Sequence, residues 1–182
     1  MPAREQQNYF QLFDLAPGFS IDRDAVERKY RKLQALLHPD RHAASGGQQQ
    51  RIALRQSALV NEAYGVLMDD CARAGHLLQL QGIELNDETD TTGDAGFLAE
   101  QMEFRERLQE LDGHDDPREA EAEAAQLSAQ VAASAAQVRD GFSNAWQSGD
   151  LEAAREYLLK MKFIGKLTAG ISDAVAGLRA EN

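Results

Sequence analysis

Apolar residues recur at intervals of three and four along most of this chain, and this spacing is typical of amphipathic α-helices. The four prolines, Pro2, Pro17, Pro39 and Pro117, stand between the apolar stretches rather than inside them. Alanine, the strongest helix former, is abundant throughout the chain. No segment has the strict alternation of apolar and polar residues that marks a β-strand. The sequence therefore predicts an all-α fold.

Two of the predicted helices form a hairpin in the N-terminal half. The first begins after Asp22, a favourable N-cap residue, and ends before Pro39, because proline disfavours helical geometry in the residue that precedes it. The second runs from about residue 48 to residue 68. A short polar connection joins them, so we expect the two helices to pack antiparallel. The predicted apolar side of the second helix comprises Ile52, Leu59, Ala63 and Val66.

The C-terminal half has a composition of its own. Residues 86–96 contain no large apolar side chain and are typical of a linker. Beyond them, three amphipathic stretches separated by short breaks predict an up-down-up helical bundle. We therefore expect two domains, 1–80 and 96–182, joined by a linker over residues 81–95.

The net charge of −11, from 19 Lys+Arg and 30 Asp+Glu, is unevenly distributed. Residues 25–55 hold seven basic and two acidic side chains, a net charge of +5, whereas residues 84–123 hold three basic and fifteen acidic ones, a net charge of −12. The overall acidity argues against nucleic acid and anionic membranes as partners. We expect the basic cluster to attract an acidic protein, although a solvated helix face would contain similar charges. Its helical part comprises Arg28, Lys29, Arg31 and Lys32.

The remaining global features exclude other classes of protein. Cys71 is the one cysteine, so the chain cannot form an internal disulfide or a cysteine-based zinc site. Residues 1–10 are polar and lack the apolar core of a signal peptide. No run approaches the 18 apolar residues of a membrane span. We expect a cytoplasmic protein with no cofactor and no metal.

Four features of the N-terminal region resemble the J domain of J-protein co-chaperones. They are the apolar opening Tyr9–Leu15, the basic helix, the tripeptide His38-Pro39-Asp40 and the motif Asn61-Glu62-Ala63-Tyr64. The resemblance implies a helical hairpin with flanking helices that binds a chaperone ATPase of the 70-kDa heat-shock class and stimulates its ATP hydrolysis. It also implies that His38, Pro39 and Asp40 bind the chaperone together with the four basic side chains of the preceding helix.

A catalytic or metal-binding pair of His38 and Asp40 is the competing interpretation of the tripeptide. His42 lies four residues after His38, but Pro39 stands between them and no third ligand is evident. Pro39 fixes the turn, which would present His38 and Asp40 as a polar contact set.

The C-terminal region resembles the HscB family, the J-proteins of iron–sulfur cluster assembly. Residues 97–108 are similar to the first helix of that family's C-terminal domain, and residues 159–167 are similar to its last helix. The chain also lacks the Gly/Phe-rich segment and the zinc module of general-purpose J-proteins. The resemblance implies a non-enzymatic co-chaperone that binds the cluster scaffold IscU through its bundle and delivers it to the chaperone HscA. A J-protein with a different client is the alternative.

Helical geometry independently marks a second apolar surface on the first bundle helix. Leu98 and Met102 lie about 100–140° from the core stripe, beside Glu103 and Glu106. Phe163 is similarly displaced from the main stripe of the last helix. A broad core face that touches two neighbouring helices would produce the same pattern. The resemblance implies that these five positions contact the scaffold.

Overall fold

A computed structural model describes residues 7–37, 47–86, 90–111 and 116–180, and the regular secondary structure in these ranges is entirely helical. This confirms the all-α prediction. Contacts divide the chain into two compact units, Met1–Glu84 and Leu85–Asn182. The division falls inside the predicted linker of residues 81–95. None of the helices in the described ranges is long and apolar enough to cross a membrane.

The first unit contains the predicted antiparallel hairpin with a helix on either side of it in sequence. The helices are α1 (Tyr9–Leu12), α2 (Arg23–Leu37), α3 (Gly47–Met68) and α4 (Asp70–Leu80). The Asp22 side chain accepts a 2.9 Å hydrogen bond from the backbone N–H of Ala25, as expected of an N-cap. The core includes Phe10, Val26, Ala63, Leu67 and Leu77, all of which are fully buried.

The predicted apolar side of α3 is wrong at its first position. Ile52 is 48% exposed, and Leu59 and Val66 are only half-buried. The buried residues of α3 are Ala53, Val60, Ala63 and Leu67. The reason is that α3 packs against α1, α2 and α4 together, so its buried side is set by three neighbours rather than by one apolar stripe.

A buried arginine ties the junction of α3 and α4 to the segment before α2. Arg73 is 3% exposed, and its guanidinium donates to the carbonyl oxygens of Phe19 and Leu67 and pairs with Asp70. The guanidinium carbon also lies 5.1 Å from the centre of the Phe19 ring. Burial raises the pKa of Asp70, but Arg73 and Arg23 together lower it below its ordinary value. The buried charge is thus fully paired, as a buried arginine requires.

The second unit is a bundle of three helices, α5 (Ala95–Glu110), α6 (Pro117–Ser148) and α7 (Leu151–Ala180). Aspartates cap each of them: Asp94, Asp116 and Asp150 accept hydrogen bonds from backbone N–H groups of the first turn. Gly149 ends α6 with φ 76°, a left-handed conformation that glycine adopts without strain. Gly149 ends α6 and Asp150 caps α7 directly after it, which accounts for the short α6–α7 connection that the sequence predicted.

Helices α6 and α7 are in close contact where Gly141 faces the Tyr157 ring. A Cβ atom built on Gly141 would lie 2.3 Å from the nearest ring carbon of Tyr157, much closer than two carbon atoms can approach. Glycine is therefore required for space at this position, although it weakens an α-helix by about 1 kcal/mol relative to alanine. Gly165 in α7 is different, because a Cβ there would meet no atom within 4 Å.

Helix α1 is held to the first unit by stacked rings and two hydrogen bonds. The Tyr9 ring stacks on His76 with centroids 4.5 Å apart, and the Tyr9 backbone N–H donates to His76 Nε2 at 3.2 Å. The Tyr9 hydroxyl donates to Glu62 at 2.7 Å. Burial, this hydrogen bond and the Glu62 charge raise the pKa of Tyr9 to about 12. Burial lowers the pKa of His76, outweighing a hydrogen bond with Gln79.

We predict that Gly141→Ala lowers the free energy of unfolding by about 1–3 kcal/mol, since the Tyr157 ring must move to admit the methyl group. The matched control is Gly165→Ala, which should leave stability unchanged or raise it by up to about 1 kcal/mol through helix propensity. Chemical unfolding followed by circular dichroism measures both. Equal effects of the two substitutions would contradict the close-approach explanation.

We also predict an acid-sensitive contribution from His76. Its pKa in the folded protein lies below the ordinary 6.5, so the unfolded chain binds a proton first as the pH falls. The stabilisation is complete above pH 6.5 and is lost as the pH falls toward the folded-state pKa, at up to about 1.4 kcal/mol per pH unit. His76→Gln keeps a hydrogen-bond acceptor but does not titrate. The free energy of unfolding, measured with urea between about pH 7.5 and 5, should fall less steeply with decreasing pH for this variant than for the wild-type chain. If the two chains lose stability in parallel over this range, His76 does not have this role.

Candidate functional site

The first candidate surface lies on the α2–α3 hairpin, whose two helices are joined by an aromatic stack and a shared amide. The rings of Tyr30 and Tyr64 stack with centroids 4.0 Å apart. The Tyr30 hydroxyl donates a 3.0 Å hydrogen bond to Asn61, and the Gln34 amide donates to the same oxygen. The motif at residues 61–64 therefore has a structural use, since two of its side chains bind α2.

The tripeptide His38-Pro39-Asp40 lies outside the described residues, in the connection between α2 and α3. Its predicted role in binding a chaperone stays a prediction. The described ends of that connection are Leu37, the last residue of α2, and Gly47, the first residue of α3.

The four predicted basic residues of α2 differ in how far acidic neighbours offset their charge. Arg28 lies 3.8 Å from Asp22, Lys29 pairs with Asp14, and Arg31 pairs with Glu27 one turn earlier. Lys32 is exposed, and no acidic group among the described residues pairs with it. Two of the acidic partners, Asp14 and Asp22, precede the stretch whose charge was counted as +5. The hairpin is accordingly less positive than that count indicates.

The second candidate surface lies on α5, beside the residues that anchor this helix in the bundle. Phe97 and Phe104 are buried, whereas Leu98 is half-buried and Met102 is 61% exposed. Met102 is the large apolar residue that the described part of the bundle exposes most. Leu98 and Met102 are four residues apart and therefore neighbours on the helix surface.

The other predicted scaffold-binding residues lie near this pair or on the same helix. Glu103 and Glu106 are exposed on α5. Phe163 of α7 is half-buried, and its ring meets the edge of the Phe97 ring at 86° with centroids 6.3 Å apart. The structure therefore places Phe163 against α5 through Phe97. Of the five predicted residues, three are exposed and two are half-buried.

The opposite edge of α5 is occupied by polar contacts with α6. Arg107 donates hydrogen bonds of 2.9 and 2.6 Å to Glu123 and a further one to Gln130. Glu100 accepts a 2.9 Å hydrogen bond from Ser134. These contacts orient α5 about its own axis, and they explain why the edge with Leu98 and Met102 is the one left to solvent.

Residues 90–94, which the sequence marked as part of a linker, dock on α7. Asp90 pairs with Arg155 at 2.8 Å, and Thr92 is 2% exposed and bonded to Glu156. Hydrogen bonds from the Asn86 backbone and from Arg155 lower the pKa of Asp90. The start of α5 is thus anchored at a fixed place on α7, and no local pattern in the sequence predicts this anchor.

The N-cap of α5 belongs to the same anchor. Asp94 caps α5 and pairs with Lys160 at 2.6 Å. The Lys160 bond and the backbone N–H of Phe97 lower the pKa of Asp94. The Lys160 ammonium also lies 5.5 Å from the centre of the Phe97 ring and 5.3 Å from that of Tyr157. A single lysine therefore joins the start of α5 to α7.

Comparison with known proteins gives consistent results for both units. The family model described as "HSCB C-terminal oligomerisation domain" matches residues 93–172. A curated relative from Shewanella baltica strain OS223, named co-chaperone protein HscB homolog, is 39% identical over 160 residues, which cover 88% of this chain and 92% of the relative. A relative of the same name from Shewanella loihica is 38% identical over 168 residues, covering 92% and 96%.

Two solved structures have a similar fold over nearly the whole chain. The chaperone HscB from Vibrio cholerae aligns with a TM-score of 0.84 and 33% identity, over 94% of this chain and 99% of that one. The human co-chaperone protein HscB aligns with a TM-score of 0.83 and 32% identity, over 94% and 82%. Yeast Jac1, at 22% identity and a TM-score of 0.68, shares the fold.

Proposed function

The chain belongs to the HscB family of co-chaperones, and on this premise we propose that it binds an iron–sulfur cluster scaffold of the IscU type and delivers it to a chaperone ATPase of the HscA type. The observation that carries the proposal is the division into two compact units with different surfaces. One unit has a basic helical hairpin, and the other has an apolar surface flanked by carboxylates. Two unlike surfaces on one chain suit an adaptor between two unlike proteins.

The first unit would engage the chaperone through the hairpin. Exposed cations on α2 attract an acidic surface and raise the rate of encounter more than the final affinity. The paired residues Lys29 and Arg31 contribute less to this attraction than Lys32, because their own acidic neighbours offset their charge. His38, Pro39 and Asp40 would then make the contacts that stimulate ATP hydrolysis in the partner. The chaperone breaks the phosphate bond, so this chain would be neither an enzyme nor in need of a cofactor.

The second unit would hold the scaffold through Leu98, Met102 and Phe163. Met102 already exposes most of its surface, so docking can bury it without reorganising the bundle core. Full burial of such a side chain contributes about 1.5–3 kcal/mol. Glu103 and Glu106 would favour a partner with basic residues around an apolar centre. The cluster itself would be cargo of the scaffold.

Joining both surfaces in one chain raises the effective concentration of scaffold at the chaperone. Linked binding modules gain affinity of this kind without any new contact, provided that both can be engaged at once. A cytoplasmic location fits this role.

A J-protein with a different client remains the second candidate, and it would retain ATPase stimulation while failing to bind the scaffold.

We predict that His38→Gln abolishes stimulation of the chaperone ATPase while leaving scaffold affinity unchanged, because the substituted residue belongs to the hairpin and not to the bundle. A steady-state ATPase assay and a calorimetric titration with purified scaffold measure the two effects. Unaltered stimulation by the variant would remove the assignment of this site. Catalytic turnover by the wild-type chain without any ATPase partner would favour the rival His/Asp enzyme.

We predict that Met102→Ala weakens the scaffold Kd by roughly tenfold, since an exposed apolar anchor of an interface is lost without damage to the core. Two charge-reversal variants, one on the proposed surface and one outside it, form a matched pair. Glu106→Lys on α5 should weaken binding, whereas Glu121→Lys, exposed on α6, should have little effect. Calorimetric titration at one salt concentration compares all three. Wild-type affinity for both α5 variants would place the scaffold elsewhere on the chain.

A further inference from the structure

One buried side chain of α5 lacks a hydrogen-bond partner. Gln101 is 3% exposed, and nothing in the described part of the chain accepts a hydrogen bond from its amide nitrogen. Its polar neighbours on the same helix are satisfied, since Glu100 is bonded to Ser134 and Arg107 to Glu123. Among the buried side chains of the described residues, this nitrogen is the exception.

Such an arrangement costs stability. A buried donor without an acceptor destabilises the folded state, and an apolar side chain of the same size would avoid that loss. Buried polar groups in natural proteins are nearly always paired, so an exception calls for a specific explanation. Positions where local stability rules are broken are commonly functional.

The position of Gln101 on α5 indicates what that function is. At about 100° per residue, Gln101 lies about 40° from Phe97 and about 60° from Leu98 around the helix axis. It therefore stands at the border between the buried core and the surface formed by Leu98 and Met102. Its side chain has three rotatable bonds, so a change of rotamer can carry the amide from the core side toward the surface side.

We propose that Gln101 is a contact residue of the scaffold-binding surface, whose amide donates a hydrogen bond to an acceptor on the docked partner. This inference rests on the proposed function. The acceptor would be a neutral main-chain carbonyl rather than a carboxylate, because Glu100, Glu103 and Glu106 are exposed on the same helix and repel acidic groups. Docking thereby pairs a group that has no partner in the free protein. A partner with a main-chain carbonyl at the right place therefore binds more tightly than one without it.

The test compares the full-length wild-type chain with Gln101→Met, which has nearly the same size and no donor. Gln137→Met, at an exposed position on α6, is the matched control. The Gln101 variant should raise the midpoint of thermal unfolding of the bundle by about 2–4 °C and weaken the Kd for purified IscU-type scaffold about five- to tenfold. The control should change neither quantity. A residue with a merely structural role would not combine higher stability with weaker binding.

A second measurement, by nuclear magnetic resonance, uses only the wild-type chain and the scaffold, so it does not depend on how the variant folds. Scaffold addition should shift the side-chain amide proton signals of Gln101 downfield and slow their exchange with water. Lower stability of Gln101→Met, unchanged affinity, or an amide signal insensitive to the scaffold would each overturn the inference. If wild-type chain fails to bind the scaffold at all, the proposed function fails and takes this inference with it.

Discussion

The bundle depends on the close approach of α6 and α7 at Gly141 and Tyr157. Arg155 and Lys160 lie within three residues of Tyr157 on α7, and they pair with Asp90 and Asp94 in the segment of residues 90–94. That segment caps α5, and Arg107 then fixes the rotation of α5 against α6. Together these contacts orient α5 so that the edge with Met102 faces solvent. A surface proposed for recognition is thus positioned by packing that takes place elsewhere in the bundle.

Charge is separated along the chain, and the structure changes how that separation is understood. The hairpin offsets part of its positive charge with Asp14, Asp22 and Glu27, so the attraction it offers is smaller and more local than the residue count indicates. Exposed pairs of this kind add little stability, about 0–1 kcal/mol each. These pairs reduce the contribution of α2 to the long-range attraction of an acidic partner. Among the described residues, Lys32 is the cation of α2 that has no acidic partner.

Features that depend on neighbouring residues were predictable from the sequence, and features that depend on distant contacts were not. The helices, their order and the caps at Asp22 and Asp150 follow from spacing and from short-range hydrogen bonds. The exposure of Ile52 and the docking of residues 90–94 depend on contacts between different elements, which no local pattern encodes. The burial of Gln101 is of the second kind as well. The functional assignment of residues 38–40 still rests on their sequence alone.

If the protein is an adaptor, one chain must engage both partners at once, and a mixing experiment tests this most directly. A His38→Gln chain and a Met102→Ala chain each keep one of the two proposed surfaces intact. Mixed with chaperone, and with scaffold kept well below the weakened Kd of Met102→Ala, they should fail to restore the scaffold-enhanced ATPase rate of the wild-type chain. One variant does not stimulate the ATPase, and the other leaves most of the scaffold unbound at that concentration. Full restoration by the mixture would contradict the claim and show that the two surfaces act independently.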